Sequence, residues 1–129
     1  MKQVLLFAGA LILSASLFAQ QKKADDVIKF KETAHDFGKI KQNDKVNYDF
    51  KFTNTGKSPL IITDARASCG CTTPVWPRTP IKPSENSGIK VTFNSAAKMG
   101  LQDKQITITA NTNPAQNIVH LIGEVTLAK

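Results

Sequence analysis

The chain has 129 residues and a formal net charge of +7, from 17 lysines and arginines against 10 aspartates and glutamates. That length is one domain. A composition of 41% hydrophobic and 21% charged residues excludes a disordered, collagen-like or coiled-coil chain, and two cysteines are too few for a disulfide-stapled scaffold.

The first element is an address. Lys2 precedes the apolar run of residues 4–13 (VLLFAGALIL), and the small residues Ser14, Ala15, Ser16 and Ala19 follow before Gln20 and Gln21. This is the layout of a cleaved secretory signal peptide over residues 1–19. A membrane-spanning helix needs about 20 apolar residues, and serines interrupt this run well short of that. Cleavage is expected after Ala19. Ser16 is the alternative, because bulky Leu17 lies two positions before the first site. No cysteine ends the run and no later segment is strongly apolar, so neither a lipid anchor nor a membrane span is expected. The expected destination is the bacterial periplasm or the exterior, where disulfides persist. Residues 20–26 (QQKKADD) read as a polar leader, and residues 27–129 as the folded domain.

From there the pattern has period two. Short strand candidates at residues 27–31 and 33–37 end at the turn residue Gly38. Val46, Tyr48, Phe50 and Phe52 then alternate with Lys45, Asn47, Asp49, Lys51 and Thr53. Successive strand side chains point to opposite faces, so one face is buried and the other wet, and this segment is expected to supply a central core strand. Asn54-Thr55-Gly56 closes it, and a weaker candidate covers residues 59–67. Ile89, Val91 and Phe93 alternate with Lys90, Thr92 and Asn94. Ile106, Ile108 and Ala110 alternate with Gln105, Thr107, Thr109 and Asn111, and residues 117–127 form the last candidate. Turn signals separate them at residues 84–88, at Met99-Gly100 and at residues 111–114. About seven short strands without helical periodicity predict an all-β, antiparallel β-sandwich. One stretch breaks the rhythm: residues 68–87 hold Pro74, Pro77, Pro80 and Pro83, both cysteines and the sole tryptophan. Proline cannot donate to an interior ladder, so a loop or a ragged edge segment is expected. Long ordered loops are often functional.

Several motifs appear in order: His35-Asp36-Phe37-Gly38-Lys39-Ile40, Phe52-Thr53-Asn54-Thr55-Gly56, Pro59-Leu60-Ile61-Ile62, Ser68-Cys69-Gly70-Cys71-Thr72-Thr73-Pro74, Ile81-Lys82-Pro83 and Val119-His120-Leu121-Ile122-Gly123-Glu124-Val125. Together they resemble the secreted bacterial domain-of-unknown-function family fifteen-seventy-three, over roughly residues 31–125. Cys-Gly-Cys-Thr is the most specific signature. Ser84 stands where the family often has a glycine after the loop proline. The resemblance implies an immunoglobulin-like sandwich akin to PapD, major sperm protein and the spindle–hydin domains, and it implies no activity. Fold kinship alone assigns none.

Cys69-Gly70-Cys71 is the one constellation with distinctive chemistry, and it admits three states. A disulfide would close a very small ring, requiring Gly70 to bend the chain so that the Cα atoms come within about 4.4–6.8 Å. A dithiolate would bind a soft ion such as Cu(I) or Zn(II), with His35, His120 or Met99 available to complete the ligand set. Two inert thiols packed against the loop are the third state. Trp76 is a binding-loop candidate, read either as an exposed anchor for a ligand or as a lid on one end of the core. His35 and Asp36 are adjacent on a strand and point to opposite faces, so a hydrogen-bonded edge histidine is expected there; the same holds for His120. No nucleophile elbow, phosphate-cradling glycine loop or paired carboxylates are present, which disfavours a Ser-His-Asp hydrolase and points away from an enzyme.

The lysines are interleaved with acids, and Arg66 and Arg78 are the only arginines. That pattern reads as a solvated surface and not as a nucleic-acid footprint. The leading expectation is a secreted or periplasmic, non-enzymatic binding or scaffold module. It would engage a protein or envelope component, for instance by edge-strand addition. The alternative is a redox-active or copper/zinc-binding protein acting through Cys69 and Cys71.

Overall fold

The computed structural model describes residues 27–128. The expected signal peptide, both candidate cleavage positions and the expected polar leader lie outside the described residues. The alternating segments resolve into eight strands: β1 (Ile28–Phe30), β2 (Ala34–Lys41), β3 (Lys45–Asn54), β4 (Ile62–Ala67), β5 (Thr72–Val75), β6 (Asn86–Asn94), β7 (Gly100–Ala110) and β8 (Gln116–Thr126). They form two four-stranded sheets, ordered β1-β3-β6-β5 and β2-β8-β7-β4. All pairs are antiparallel except β2 with β8, which is parallel.

The inward halves of the alternations meet between the sheets. Phe50, Ile89, Val91, Phe93, Ile106, Ile108, Val119 and Leu121 are fully buried, and Phe52 nearly so. Each such side chain contributes about 1.5–3 kcal/mol by leaving water, which makes β3 and β6 on one side and β7 and β8 on the other the body of the core. Buried Asn54 is fully engaged. Its side-chain amide donates to the Ser58 and Ile81 carbonyls, and its Oδ1 accepts from the Gly56 amide. It thereby pins the turn after β3 to the segment that leads into β6.

Three departures from the sequence pattern have physical causes. The proline-rich break contains a short edge strand, β5, which raises the count to eight. Gly38 does not end a strand. With φ at 78° it forms a bulge inside β2, its amide held by Asp36 Oδ1 at 2.7 Å, where the register against β8 shifts between Asp36 and Lys39. Positive φ suits glycine in a bulge as well as in a turn, so the residue type alone cannot distinguish them. Finally, β7 begins at Gly100, well ahead of its alternating half. The ladder from Gly100 opposite Val125 to Thr109 opposite Gln116 sustains it, even though Leu101 is 86% exposed.

Candidate functional site

Residues 68–71 carry the chain from the β4 sheet to the β5 sheet, and main-chain bonds hold both ends of this crossover. The Ser68 amide donates to the Gln105 carbonyl of β7 at 2.9 Å, and the Gln105 amide donates to Ser68 Oγ at 3.3 Å. On the other side the Asn94 amide of β6 donates to the Cys71 carbonyl at 2.9 Å. Between them the Thr72 amide donates to the Cys69 carbonyl at 3.3 Å, closing a four-residue turn. This turn is the bend that a pair of cysteines two apart needs. The Cα atoms of Cys69 and Cys71 stand 5.3 Å apart and their sulfurs are joined in a disulfide. Gly70 reaches the bend without entering the left-handed region.

Both cysteines are half-buried and Gly70 is exposed. A Cβ added to Gly70 would meet nothing within 4 Å. Cys71 packs against the hydrophobic core. The hydroxyl of buried Thr72 lies 3.6 Å from Cys71 Sγ and 3.8 Å from Cys69 Sγ. Lys104, next to Gln105 on β7, holds its ammonium 5.6 Å from the ring centroid of Phe93, the strand partner of Thr72. Burial, more than repulsion from Lys98, pulls its pKa below the ordinary lysine value.

The other sequence-selected residues lie elsewhere. Trp76 follows β5, packs partly against the core and carries the Arg78 guanidinium 4.0 Å from its ring centroid. His120 Nδ1 lies 2.8 Å from Asp103 Oδ1. His35 Nδ1 lies 3.1 Å from Glu32 Oε1, while Asp36 on the opposite face bonds Gly38. Met99 is 49% exposed at the head of β7. Among the described residues no group of three or more His, Cys, Asp or Glu side chains gathers to hold a metal ion. With the sulfurs bonded to each other, thiolate ligation at Cys69 and Cys71 would require their reduction first.

Sequence reasoning missed a cluster at the opposite margin of the sandwich. The Tyr48 hydroxyl of β3 donates to Glu32 Oε1, the oxygen that also meets His35, and the His35 and Tyr48 rings stack with centroids 3.6 Å apart. The bond to the carboxylate pushes the Tyr48 phenol up to about 12. In return it holds the Glu32 carboxyl below the ordinary carboxylate value, with a lesser pull from His35. Tyr48 of one sheet and His35 of the other meet through Glu32 and their stacked rings, so the cluster ties the two sheets together. Tyr48 is visible in the sequence as an inward aromatic, but nothing in the spacing links it to Glu32.

The cluster lies where β1 and β2 part company. β1 pairs with β3 only from Ile28 opposite Asn54 to Phe30 opposite Phe52, flanked by bonds from the Thr55 amide to the Val27 carbonyl at 2.9 Å and from the Lys31 amide to the Lys51 carbonyl at 2.8 Å. The chain then crosses to the other sheet. In an antiparallel ladder, alternate residues turn their main-chain groups to opposite sides. The Asn54 amide donates toward β6, to Glu85, while the Lys51 carbonyl accepts from the β1 side. The odd residues Lys45, Asn47 and Asp49 therefore turn their main-chain groups away from β6. Among the described residues no strand lies beside them.

The edge at β5 differs. Its odd residues face β6, because the Cys71 carbonyl accepts from Asn94. Thr72 and Pro74 face outward, and the Thr72 amide is already used in the turn while Pro74 has none.

Two sheets facing each other, with the leading strand divided between them and its second part running parallel to the last strand, define an immunoglobulin-like sandwich of the PapD type. The model of the family described as protein of unknown function, DUF1573, matches residues 28–125, and the chain belongs to that family. No curated protein matches it. Among solved structures it is similar to a protein of unknown function from Porphyromonas gingivalis W83, with TM-score 0.67 and 18% identity over 76% of this chain and 46% of that one. The chain thus spans less than half the length of that relative. It is also similar to the ASH / PapD-like domain 7 of human CEP192, with TM-score 0.64 and 10% identity over 85% of this chain and 92% of that one. The YadV chaperone matches with TM-score 0.52 and 17% identity over 76% of this chain and 51% of that chain. At these identities the likeness is one of fold. Among the described residues no helix is long and apolar enough to cross a membrane.

Proposed function

We propose that the chain is a non-enzymatic binding module that works outside the cytoplasm. In this reading it holds an extended segment of a partner protein or envelope component against the vacated stretch of β3. The observation that carries the reading is the outward row of main-chain groups at Lys45, Asn47 and Asp49, beside which no strand lies among the described residues. An added strand gains affinity from main-chain hydrogen bonds and specificity from side chains at alternate positions.

The β5, β2 and β4 edges carry guards that favour this stretch over them. The β5 edge has its outward amide bonded at Thr72 and absent at Pro74. The β2 edge is bulged, with the Gly38 and Lys41 amides taken by the Asp36 and Asp44 carboxylates, and the β4 register shifts between Ile62 and Asp64. A groove lined in part by Lys29, Lys31, Asp49 and Lys51 lies where β1 still accompanies β3 and reaches the vacated stretch only at Asp49. Similarity to a chaperone and to a PapD-like domain supports protein binding as the general role. The apolar run and small residues of the first 19 positions support export.

The test uses the full chain, immobilised and exposed to bacterial envelope proteins. The captured partner is expected to slow amide hydrogen exchange at residues 45–49. Asn47→Pro removes an outward amide that β6 does not use, together with the exposed side-chain bond from Thr92, and is expected to abolish capture while the cooperative melting transition persists. Capture that survives Asn47→Pro, or that leaves those amides unprotected, overturns the reading.

A further inference from the structure

We propose that the Cys69–Cys71 disulfide is a thiol–disulfide exchange centre whose substrate is an accessible thiol, with Cys69 the sulfur attacked and Cys71 the leaving thiolate. The proposal is independent of strand addition at β3.

The bond is a poor staple. The stabilisation a disulfide brings by constraining the unfolded chain grows with the loop it closes, and this one joins cysteines two positions apart. The crossover is also held without it, by the bonds from Ser68 to Gln105, from Gln105 to Ser68, from Thr72 to Cys69 and from Asn94 to Cys71. What the arrangement does provide is access and asymmetry. Gly70 is exposed, and a side chain there would meet nothing, so the approach to the pair is open. Of the two cysteines, Cys71 is the one packed on the core, which leaves Cys69 as the sulfur presented to an incoming group. The Thr72 hydroxyl is nearer Cys71 Sγ and can donate to a thiolate formed there. Lys104 holds its ammonium over the ring of Phe93, the strand partner of Thr72.

The chemistry balances with two substrate thiols. The first, as its thiolate, attacks Cys69 Sγ. A mixed disulfide forms, the Cys69–Cys71 bond breaks, and its electron pair leaves on Cys71 Sγ. A second thiolate attacks the substrate sulfur of the mixed disulfide and releases the substrate disulfide and the Cys69 thiolate. The two protons lost by the substrate thiols pass through solvent to Cys69 and Cys71. Two electrons move from the thiols to the pair, and the reverse sequence reoxidises it.

The full chain is equilibrated in glutathione buffers of graded reduced-to-oxidised ratio, quenched with acid, alkylated and weighed. A parallel arm offers a reduced, unfolded protein of unrelated sequence, which distinguishes a small thiol from a polypeptide thiol as the source. Reversible two-electron exchange in either arm is expected while the fold persists. Cys71→Ser is expected to capture glutathione on Cys69 roughly tenfold faster than Cys69→Ser captures it on Cys71. Thr72→Val is expected to slow exchange several-fold at unchanged melting temperature.

Four results overturn the proposal. The pair could stay oxidised throughout in the folded protein, or the two single variants could capture glutathione equally. The Cys69→Ser, Cys71→Ser double variant could fail to fold, which would make the pair structural. The reduced pair could instead retain added zinc or copper and no longer exchange.

Discussion

Tyr48 is the only tyrosine in the chain, so its phenol can be titrated by absorbance without interference. Its bond to Glu32 raises the folded-state value to about 12 from an ordinary value of 10.0. The sign follows directly: the bond's contribution to stability is complete below the ordinary tyrosine value and is lost as pH climbs from there through the raised one. Glu32 is the mirror case. Its folded value is lowered, so its share is complete above the ordinary carboxylate value and fades as pH falls below it. The absorbance midpoint is expected near 12 in the native chain. In Glu32→Ala it should fall toward the ordinary tyrosine value, and an unchanged midpoint would show that Glu32 is not the cause. A second residue-scale constraint is steric. A Cβ on Gly123 of β8 would collide with the Phe37 ring, so glycine there lets an aromatic of β2 lie against its neighbouring strand. Neither fact is legible in the sequence, because Glu32 and Tyr48, and Phe37 and Gly123, are brought together only by strand pairing and sheet packing.

Among the elements, β5 is the one in which the sequence was half informative. Four prolines mark residues 68–87 as a place where the ladder ends, and a ragged edge segment is what forms there. Which way Pro74 faces is another matter. It depends on the Asn94 amide reaching the Cys71 carbonyl, a pairing between segments 23 positions apart (94 − 71). With that parity the missing donor falls on the open side, so the proline costs the sheet no bond and denies a second chain one. Pro74→Val restores an outward amide beside Val75, which is 57% exposed. Greater concentration-dependent self-association than in the parent at the same concentration is expected for this variant by light scattering. A variant that stays as dispersed as the parent would remove Pro74 from the list of edge guards. The Gly38 bulge in β2 follows the same logic, since a strand that shifts register cannot template a long partner.

At the scale of the whole molecule, one apolar layer between two sheets carries the stability. Phe50 has no exposed surface in that layer. Truncating a buried phenylalanine costs about 3–5 kcal/mol, and a carboxylate in its place adds the penalty of burying a charge. Native domains are stable by only about 5–15 kcal/mol. Phe50→Asp is therefore expected to abolish the cooperative thermal transition seen by circular dichroism. A transition at the native temperature would mean that β3 is not the central core strand.

The sequence by itself determined that this is an all-β sandwich and which residues face its interior, because alternation with period two is a local property of each segment. It also singled out Cys69 and Cys71 as the distinctive chemical pair, since two cysteines around a glycine are close in any conformation. Only the tertiary structure decided the rest. The division of the leading strand between the sheets leaves part of β3 unaccompanied, the parity of β5 turns Pro74 outward, and the turn at Cys69–Thr72 lets the sulfurs bond with Cys71 inward. The first two depend on hydrogen bonds between residues far apart in the chain, and the turn, though closed locally, is anchored at its ends by Gln105 and Asn94; such pairings leave no periodic trace in the segments that make them.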